Sequence, residues 1–407
     1  MEERINMKKN FIYISDYIEG APVVASVRYK ELMEYYKERY KVIVINDKKF
    51  GENTSNLCIK NFKYYTGESI FKSNNYKEKY FKLKSLLKKS FLIKLARGYK
   101  LSELKFLKDN SDTINEIINY IREERITLVY ITVPDLYPIY IAKCIKKELS
   151  NVKIITEVRD ILNHNIGGGN PKFVLKKAEK IMLNISDELI VLSEGIYDYY
   201  KDNFNETKIS IIKNGYNEKL FENLNKINLK KDKLTLAHIG SIYKGRNIKN
   251  FILALNKFSI EESKNIVFNI VGYLDDIAQK DLEELDIDNL NIEINIIGTV
   301  THEKAVEYLI NSDIAVILTH IKGSGYAIPG KVFEYIGAEK PILAVTEDLP
   351  LINLINSKYG VCSKHNINSI VLSMKKLLKM NFDFEDKIKF TRKKQAEKIL
   401  KILEKYI

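Results

Sequence analysis

The sequence predicts an α/β protein built from two parallel, doubly wound sheets, and three observations carry that prediction. Short runs rich in Ile, Val and Leu alternate with helical stretches of roughly 10–15 residues along almost the whole chain. The apolar runs are continuous rather than alternating, which marks strands covered on both faces. They also fall into two series, separated by a polar, Asn- and Lys-rich stretch at Tyr216–Asp232.

The first series comprises Phe11–Ser15, Val42–Asn46, Leu128–Val133, Lys153–Glu157, Glu188–Leu192 and Lys208–Ile212. The second comprises Leu234–Ile239, Ile266–Val271, Ile292–Ile296, Ile314–Leu318 and Ile342–Ala344. Two Rossmann-like domains follow from this, 1–216 and 217–384. A closing helix at 385–407 is long enough to cross back over the first domain. A length of 407 residues suits two or three domains at roughly 150 residues each. With 45% hydrophobic and 29% charged residues, the composition excludes a disordered chain.

Cys58, Cys144 and Cys362 stand far apart with no C-x-x-C pair, which excludes a disulfide framework and a zinc finger. A reducing cytoplasm fits. No apolar run reaches the about 18 residues of a membrane span. The opening residues MEERINMKKNFIYISD lack the apolar stretch of a signal peptide, and Met7 is a second natural start.

The net charge of +13 is concentrated: residues 71–108 hold twelve Lys or Arg against Glu78 and Glu103. Three readings are open. The segment is a solvated basic face, or a surface that docks on an anionic bilayer, since Leu83, Leu86, Leu87 and Phe91 share one helical side and Lys82, Lys84, Lys88 and Lys89 the other. The third reading, nucleic acid, lacks any accompanying RNA- or DNA-binding signature.

In open α/β sheets ligands bind beyond the carboxyl ends of the strands, so chemistry is sought just after them. Gly323-Ser324-Gly325-Tyr326-Ala327-Ile328-Pro329-Gly330-Lys331-Val332-Phe333-Glu334 follows the strand ending at Leu318. Its glycine-rich loop leads to Pro329 at a helix start, where the free N–H groups and Lys331 suit an anion. Glu334, one turn on, suits two ribose hydroxyls; a Pro-started helix with a solvent-facing Glu is the plainer alternative. Gly240-Ser241-Ile242-Tyr243-Lys244-Gly245-Arg246 is a second strand-to-helix junction. Its glycines admit a close ligand, and Lys244 and Arg246 at a helix start invite a compensating diphosphate; plain surface charge is the alternative. Asp286 and Asp288 sit in an acidic loop and read as solvated charge, and the five histidines show no metal-ligand spacing. Gly167-Gly168-Gly169 after His164 is either a loop that meets an acceptor or a plain connection.

These two stretches, in this order, resemble the family 4 glycosyltransferases, retaining enzymes of the two-Rossmann GT-B fold. Ile155-Thr156-Glu157-Val158-Arg159-Asp160, Ser186–Ser193, Ile211–Asn217 with Phe221, and Gly20-Ala21-Pro22 with Arg28 are similar to further family stretches, so the likeness covers about 10–380. The resemblance implies GT-B architecture with the sheets facing a central cleft. It implies a UDP- or GDP-linked nucleotide-sugar donor, no cofactor and no metal. Gly20, Gly240, Lys244, Arg246, Gly330, Lys331 and Glu334 would bind that donor. Asp160, Arg246 and Lys331 would serve the transfer, and Arg28, Arg159 and Tyr326 would meet acceptor or sugar. A capping role is the alternative for Asp160. The implied acceptor is a glycan or lipid-linked molecule of bacterial cell-surface polysaccharide synthesis, met in the cytoplasm or at the inner face of the plasma membrane. Two departures stand out: Tyr326 replaces the first Glu of the family's E-x7-E pair, and Ser241 replaces the usual Arg after Gly240. A nucleotide-sugar 2-epimerase of the same fold, or a silent nucleotide-sugar binder, are the alternatives.

Overall fold

Runs of β-branched residues produce strands that are closed to solvent on both faces, and a computed structural model shows where they lie. It describes residues 8–18, 24–50, 56–67, 91–163, 170–222, 232–243, 245–321, 325–356 and 358–407. The chain divides into two units: Met1–Ile212 with Ala396–Ile407, and Lys213–Gln395.

In unit 1 the strands are β1 (Asn10–Ile14), β2 (Lys41–Asp47), β3 (Lys60–Tyr64), β4 (Leu128–Val133), β5 (Lys153–Val158), β6 (Glu188–Val191) and β7 (Ile209–Ile211). They form one parallel sheet in the order β3-β2-β1-β4-β5-β6-β7. Its helices are α1 (Val24–Arg39), α2 (Phe91–Lys100), α3 (Glu103–Glu123), α4 (Tyr137–Glu148), α5 (Lys172–Ile185) and α6 (Glu194–Tyr200). Unit 2 holds β8 (Lys233–Ile239), β9 (Asn265–Val271), β10 (Ile292–Gly298), β11 (Ile314–Leu318), β12 (Ile342–Val345) and β13 (Gly360–Ser363), in the order β10-β9-β8-β11-β12-β13. Its helices are α7 (Ile248–Glu262), α8 (Asp276–Glu283), α9 (His302–Ile310), α10 (Lys331–Gly337), α11 (Leu349–Ile355) and α12 (Ile367–Leu377). Both orders are Rossmann-like. Each reverses direction beside its first strand, between β1 and β4 and between β8 and β11, and that reversal opens the crevice where such folds take ligands.

Two strands escape the sequence patterning. β3 carries Lys60, Asn61 and Lys63 and buries only Phe62 and Tyr64 fully, because it is an edge. β13 is four residues long and also an edge. It needs its glycine: a Cβ at Gly360 would lie 2.0 Å from the Ile342 carbonyl oxygen.

The closing helix is shorter than expected. Glu385–Phe390 is a 3₁₀ segment, Thr391 is extended, and α13 runs only over Arg392–Leu403. The Thr391 hydroxyl accepts from Lys394 N and so begins the new helix. Ala396, Ile399, Leu400 and Leu403 of α13 belong to the buried core of unit 1.

That core encloses one fully buried ion pair. Arg28 on α1 donates through Nε and Nη2 to Glu157 on β5 at 3.1 and 3.0 Å, and Tyr130 OH donates to the same carboxylate at 2.7 Å. Arg28 is 1% exposed and Glu157 0%. Burial opposes the charge on Glu157, but Arg28 outweighs it and holds the carboxyl below its ordinary value. Arg28, expected to meet acceptor or sugar, is buried here and paired with Glu157. A charge following a loop looks exposed in sequence, and only its distant partner shows otherwise.

Replacing Glu157 with Gln strands a buried guanidinium, and we expect a loss of about 3–5 kcal/mol in urea denaturation. In the wild type this pair's contribution is present above the ordinary Glu value and fades as pH falls through the lowered one. The Gln variant should lack that acid-side slope.

Candidate functional site

The crevice of unit 2 is built where β8 and β11 end. Gly240 leaves β8 at φ +109° and donates its N–H to the Val271 carbonyl at 2.6 Å, drawing in the loop after β9. There Gly272 has φ +146°, and a Cβ on it would fall 2.5 Å from the Gly240 carbonyl. Two backbones thus pass at a distance only glycine permits. The loop then turns through Gly245 at φ +71° into α7, whose N-cap Asn247 accepts from Asn250 N.

Arg246 lies on this turn. Its backbone bridges to His320 beyond β11, its Nη1 donates to the Ser241 carbonyl at 2.8 Å, and its guanidinium stands 4.4 Å from the Tyr243 ring centroid. Burial pulls its pKa down, and among the described residues its Nε has no hydrogen-bond partner.

Helix α10 faces this loop and is pinned by Tyr335. The Tyr335 hydroxyl accepts from Ile239 N on β8 at 3.0 Å and donates to the Val316 carbonyl on β11 at 3.3 Å. Lys331 and Glu334 are carried on the same short helix. Lys331 Nζ donates to His238 Nε2 at 3.2 Å and lies 3.1 Å from where a Cβ of Gly240 would stand. His238 is wholly buried, and its Nδ1 is 3.1 Å from the Val316 carbonyl. A carbonyl can only accept, so Nδ1 carries the proton and Nε2 is free to receive from Lys331. Burial, then Lys331 and Arg246, push the His238 pKa well down, which keeps the ring neutral. Lys331 is pulled down to about 7 by burial and then by Arg246, with Glu334 acting the other way.

Glu334 Oε1 accepts from His302 Nε2 at 2.8 Å. His302 opens α9, and neither it nor His238 carries a local sequence signal, since their partners lie far away in the chain. Tyr326 is half-buried in the loop before Pro329, next to Gly325, whose N–H donates to Asp348 Oδ1 at 2.7 Å. Gly330 is the N-cap of α10 and has ordinary helical torsions.

Gly240, Arg246, Gly330, Lys331 and Glu334 thus share the crevice of unit 2. Lys244, Gly20 and the Gly167–Gly169 loop lie outside the described residues. Arg159 and Asp160 belong to unit 1, at the end of β5. Arg159 Nη2 donates to Tyr17 OH at 3.1 Å, stands 3.9 Å from Asp135 Oδ2 and lies 5.2 Å from the Tyr29 ring centroid. The group around it has no local signature in the sequence. Asp16 bonds Tyr64 OH and Asp47 bonds Thr66, so that Asp16, Asp47 and Asp135 collect at the ends of β1, β2 and β4. Burial, then Asp135, raise the Asp16 pKa well above the usual carboxylate range. Among the described residues, no three His, Cys, Asp or Glu side chains are placed to hold a metal ion. Asp286 is occupied by Asn289 Nδ2 at 2.6 Å.

Residues 221–398 match the family model described as glycosyl transferases group 1. A curated relative from Methanocaldococcus jannaschii, named the uncharacterized glycosyltransferase MJ1069, is 28% identical over 179 residues, and the match spans 43% of this chain and 43% of that protein. Solved structures resemble the whole chain. Alr3699/HepE of Anabaena, in complex with UDP and glucose, is similar with a TM-score of 0.65 and 12% identity, over 98% of this chain and 99% of that one. The UDP-GlcNAc 2-epimerase of M. jannaschii is similar with a TM-score of 0.54 and 14% identity, over 98% and 99%. At such identities the likeness is one of fold. The group 1 match covers residues 221–398, and the two Rossmann-like units have a fold of GT-B type.

Proposed function

We propose that the protein is a retaining, metal-independent hexosyltransferase that moves a sugar from a UDP- or GDP-linked donor to an acceptor hydroxyl. One observation carries the reading. Lys331 and Arg246 converge on the Gly240 loop at the switch point of unit 2, and among the described residues neither has a carboxylate within ion-pair distance. Two half-buried cations near enough that Arg246 lowers the Lys331 pKa are costly unless an anion joins them. A diphosphate has the charge and size to do so.

In this reading the diphosphate lies against the Gly240 backbone between Lys331 and Arg246, with Lys244 on the same loop. Glu334 receives the ribose hydroxyls. As the glycosidic bond breaks, negative charge gathers on the leaving diphosphate, where the two cations already stand. Asp160 and Arg159, at the carboxyl edge of unit 1, are the proposed contacts for acceptor or sugar, and Tyr326 for sugar. The family's retaining transfer is front-face attack by the acceptor hydroxyl, with no covalent intermediate. The acceptor that fits is a glycan or lipid-linked molecule of the kind used in bacterial cell-surface polysaccharide synthesis.

We place the protein at an anionic bilayer through unit 1. Most of the basic 71–108 segment lies outside the described residues, but its end shows a mixed surface. Leu95 and Tyr99 on α2, Leu104 on α3 and Phe173 on α5 are exposed large apolar side chains. A Cβ on Gly98 would meet the Phe173 ring at 2.5 Å, so α2 and α5 are neighbours there. Lys94, Arg97, Lys100, Lys172 and Lys176 are exposed among them. Cations around apolar anchors complement anionic lipid headgroups at about 1 kcal/mol per charge.

Incubation with UDP- and GDP-sugars and a glycan or lipid-linked acceptor tests the chemistry. Free nucleoside diphosphate and a glycosylated acceptor are expected, undiminished by EDTA. An epimerised sugar, or binding with no product, would overturn the reading.

The Lys331 pKa of about 7 predicts a pH signature. An anion beside the amine favours its charged form, so above pH 7 binding must take up a proton. UDP or GDP affinity should fall between pH 7.5 and 9, approaching tenfold per unit, with proton uptake visible by calorimetry in buffers of different ionisation heat. Lys331→Arg keeps its charge and should flatten the profile.

Sedimentation with phosphatidylglycerol vesicles should recover the protein at low salt and release it at high salt. Exchanging both Tyr99 and Phe173 for Asp should weaken recovery, whereas equal recovery with neutral vesicles would refute the docking.

A further inference from the structure

We propose that His302 is a positioning residue, which holds the Glu334 carboxylate in the orientation that receives the ribose diol of a nucleotide. The inference rests on the reading of Glu334 as ribose anchor. The two side chains come from different elements, His302 from the first residue of α9 and Glu334 from the first turn of α10, and meet at 2.8 Å. Each backbone is fixed independently. Thr301 caps α9 by accepting from Lys304 N. Tyr335, the residue after Glu334, fastens α10 to β8 and β11. What remains loose in Glu334 is its own side-chain torsions, and the imidazole N–H holds those.

The exposure of the pair fits this use. The His302 side chain is 32% exposed and that of Glu334 21%, so a ligand can reach the carboxylate without opening the core. A carboxylate has about four lone-pair sites. His302 occupies one on Oε1, which leaves enough for two ribose hydroxyls. A partly exposed pair of this kind adds little to folding stability. Its effect therefore belongs to binding, where a side chain already held in place need not be ordered by the ligand.

Calorimetric titration with UDP and GDP, and with their 2′,3′-dideoxy counterparts, tests this on the wild type, His302→Ala, His302→Gln and Glu334→Gln. The wild type should prefer the ribonucleotide. His302→Ala should bind that ribonucleotide about three- to tenfold more weakly, with the dideoxy compound and the melting temperature unchanged. His302→Gln, whose amide can donate an N–H, should recover most of the loss. Ribonucleotide binding by His302→Ala as tight as wild type, or tighter, would overturn the proposal; tighter binding would mean that His302 competes with the ribose. Equal weakening of both compounds would overturn it as well. A wild type that treats both compounds alike, with Glu334→Gln unchanged, would remove Glu334 as the anchor and the proposal with it. That failure is distinct from one confined to His302→Ala.

Discussion

The Tyr335 hydroxyl accepts from the Ile239 N–H on β8 and donates to the Val316 carbonyl on β11, and so spans the point where the strand order of unit 2 reverses. At such a reversal two neighbouring strands end with backbone groups that no third strand satisfies; here the Val316 carbonyl accepts from His238 Nδ1 and Tyr335 OH, and the Ile239 N–H donates to the Tyr335 hydroxyl. One phenol satisfies both sides and fastens α10 in the gap. Lys331 precedes it by one turn and Glu334 by one residue, so their positions follow from this anchorage. The rest of α10 supports it: Val332, Phe333 and Ile336 are buried, and Gly337 lets the Tyr216 ring lie against the helix, where a Cβ would come within 2.6 Å.

Electrostatics in this crevice run against folding. Arg246 and Lys331 are brought together under partial burial, and the histidine between Lys331 and the sheet is held neutral. A neutral His238 is what the arrangement requires, since a charged ring would add a third cation. Its Nδ1 proton is committed to the Val316 carbonyl, which leaves Nε2 as an acceptor that orients the Lys331 amine toward the Gly240 loop. Local cost of this kind is characteristic of places where a ligand completes the charge balance. Unit 1 solves the opposite problem internally: its buried Arg28 is paired with the Glu157 carboxylate.

Much of this was legible in the chain. Continuous Ile- and Val-rich runs marked the central strands because strands buried on both faces need nothing else, and glycines followed by Lys or Arg marked the loops at their ends. The edges were harder to see. β3 alternates Lys and Asn with aromatic residues, and β13 is too short to show a pattern. Pairings across long sequence separations were invisible. His238 meets a lysine 93 positions away, and Arg28 a glutamate 129 positions away. Such contacts depend on the strand order, which periodicity does not disclose. For the same reason Arg28 resembles a loop cation in sequence, and the local spacing of His302 gives no sign of its partner.

The passage of the chain between its two units has a consequence for biosynthesis. Lys213–Gln395 is one uninterrupted stretch, whereas the other unit is assembled from Met1–Ile212 and Ala396–Ile407. The later piece is not trim. Ala396, Ile399, Leu400 and Leu403 fill the core beside Phe11, Tyr13 and Val44, and Tyr406 OH reaches Glu188 at 2.8 Å. On the ribosome, therefore, the order of synthesis and the order of completion are reversed. The half made first waits with an open apolar face while the half made second emerges whole. Only when α13 leaves the exit tunnel can the earlier half close, and until then its exposed apolar face, rich in Tyr and aliphatic residues, is the part of the nascent chain that a chaperone would have to cover.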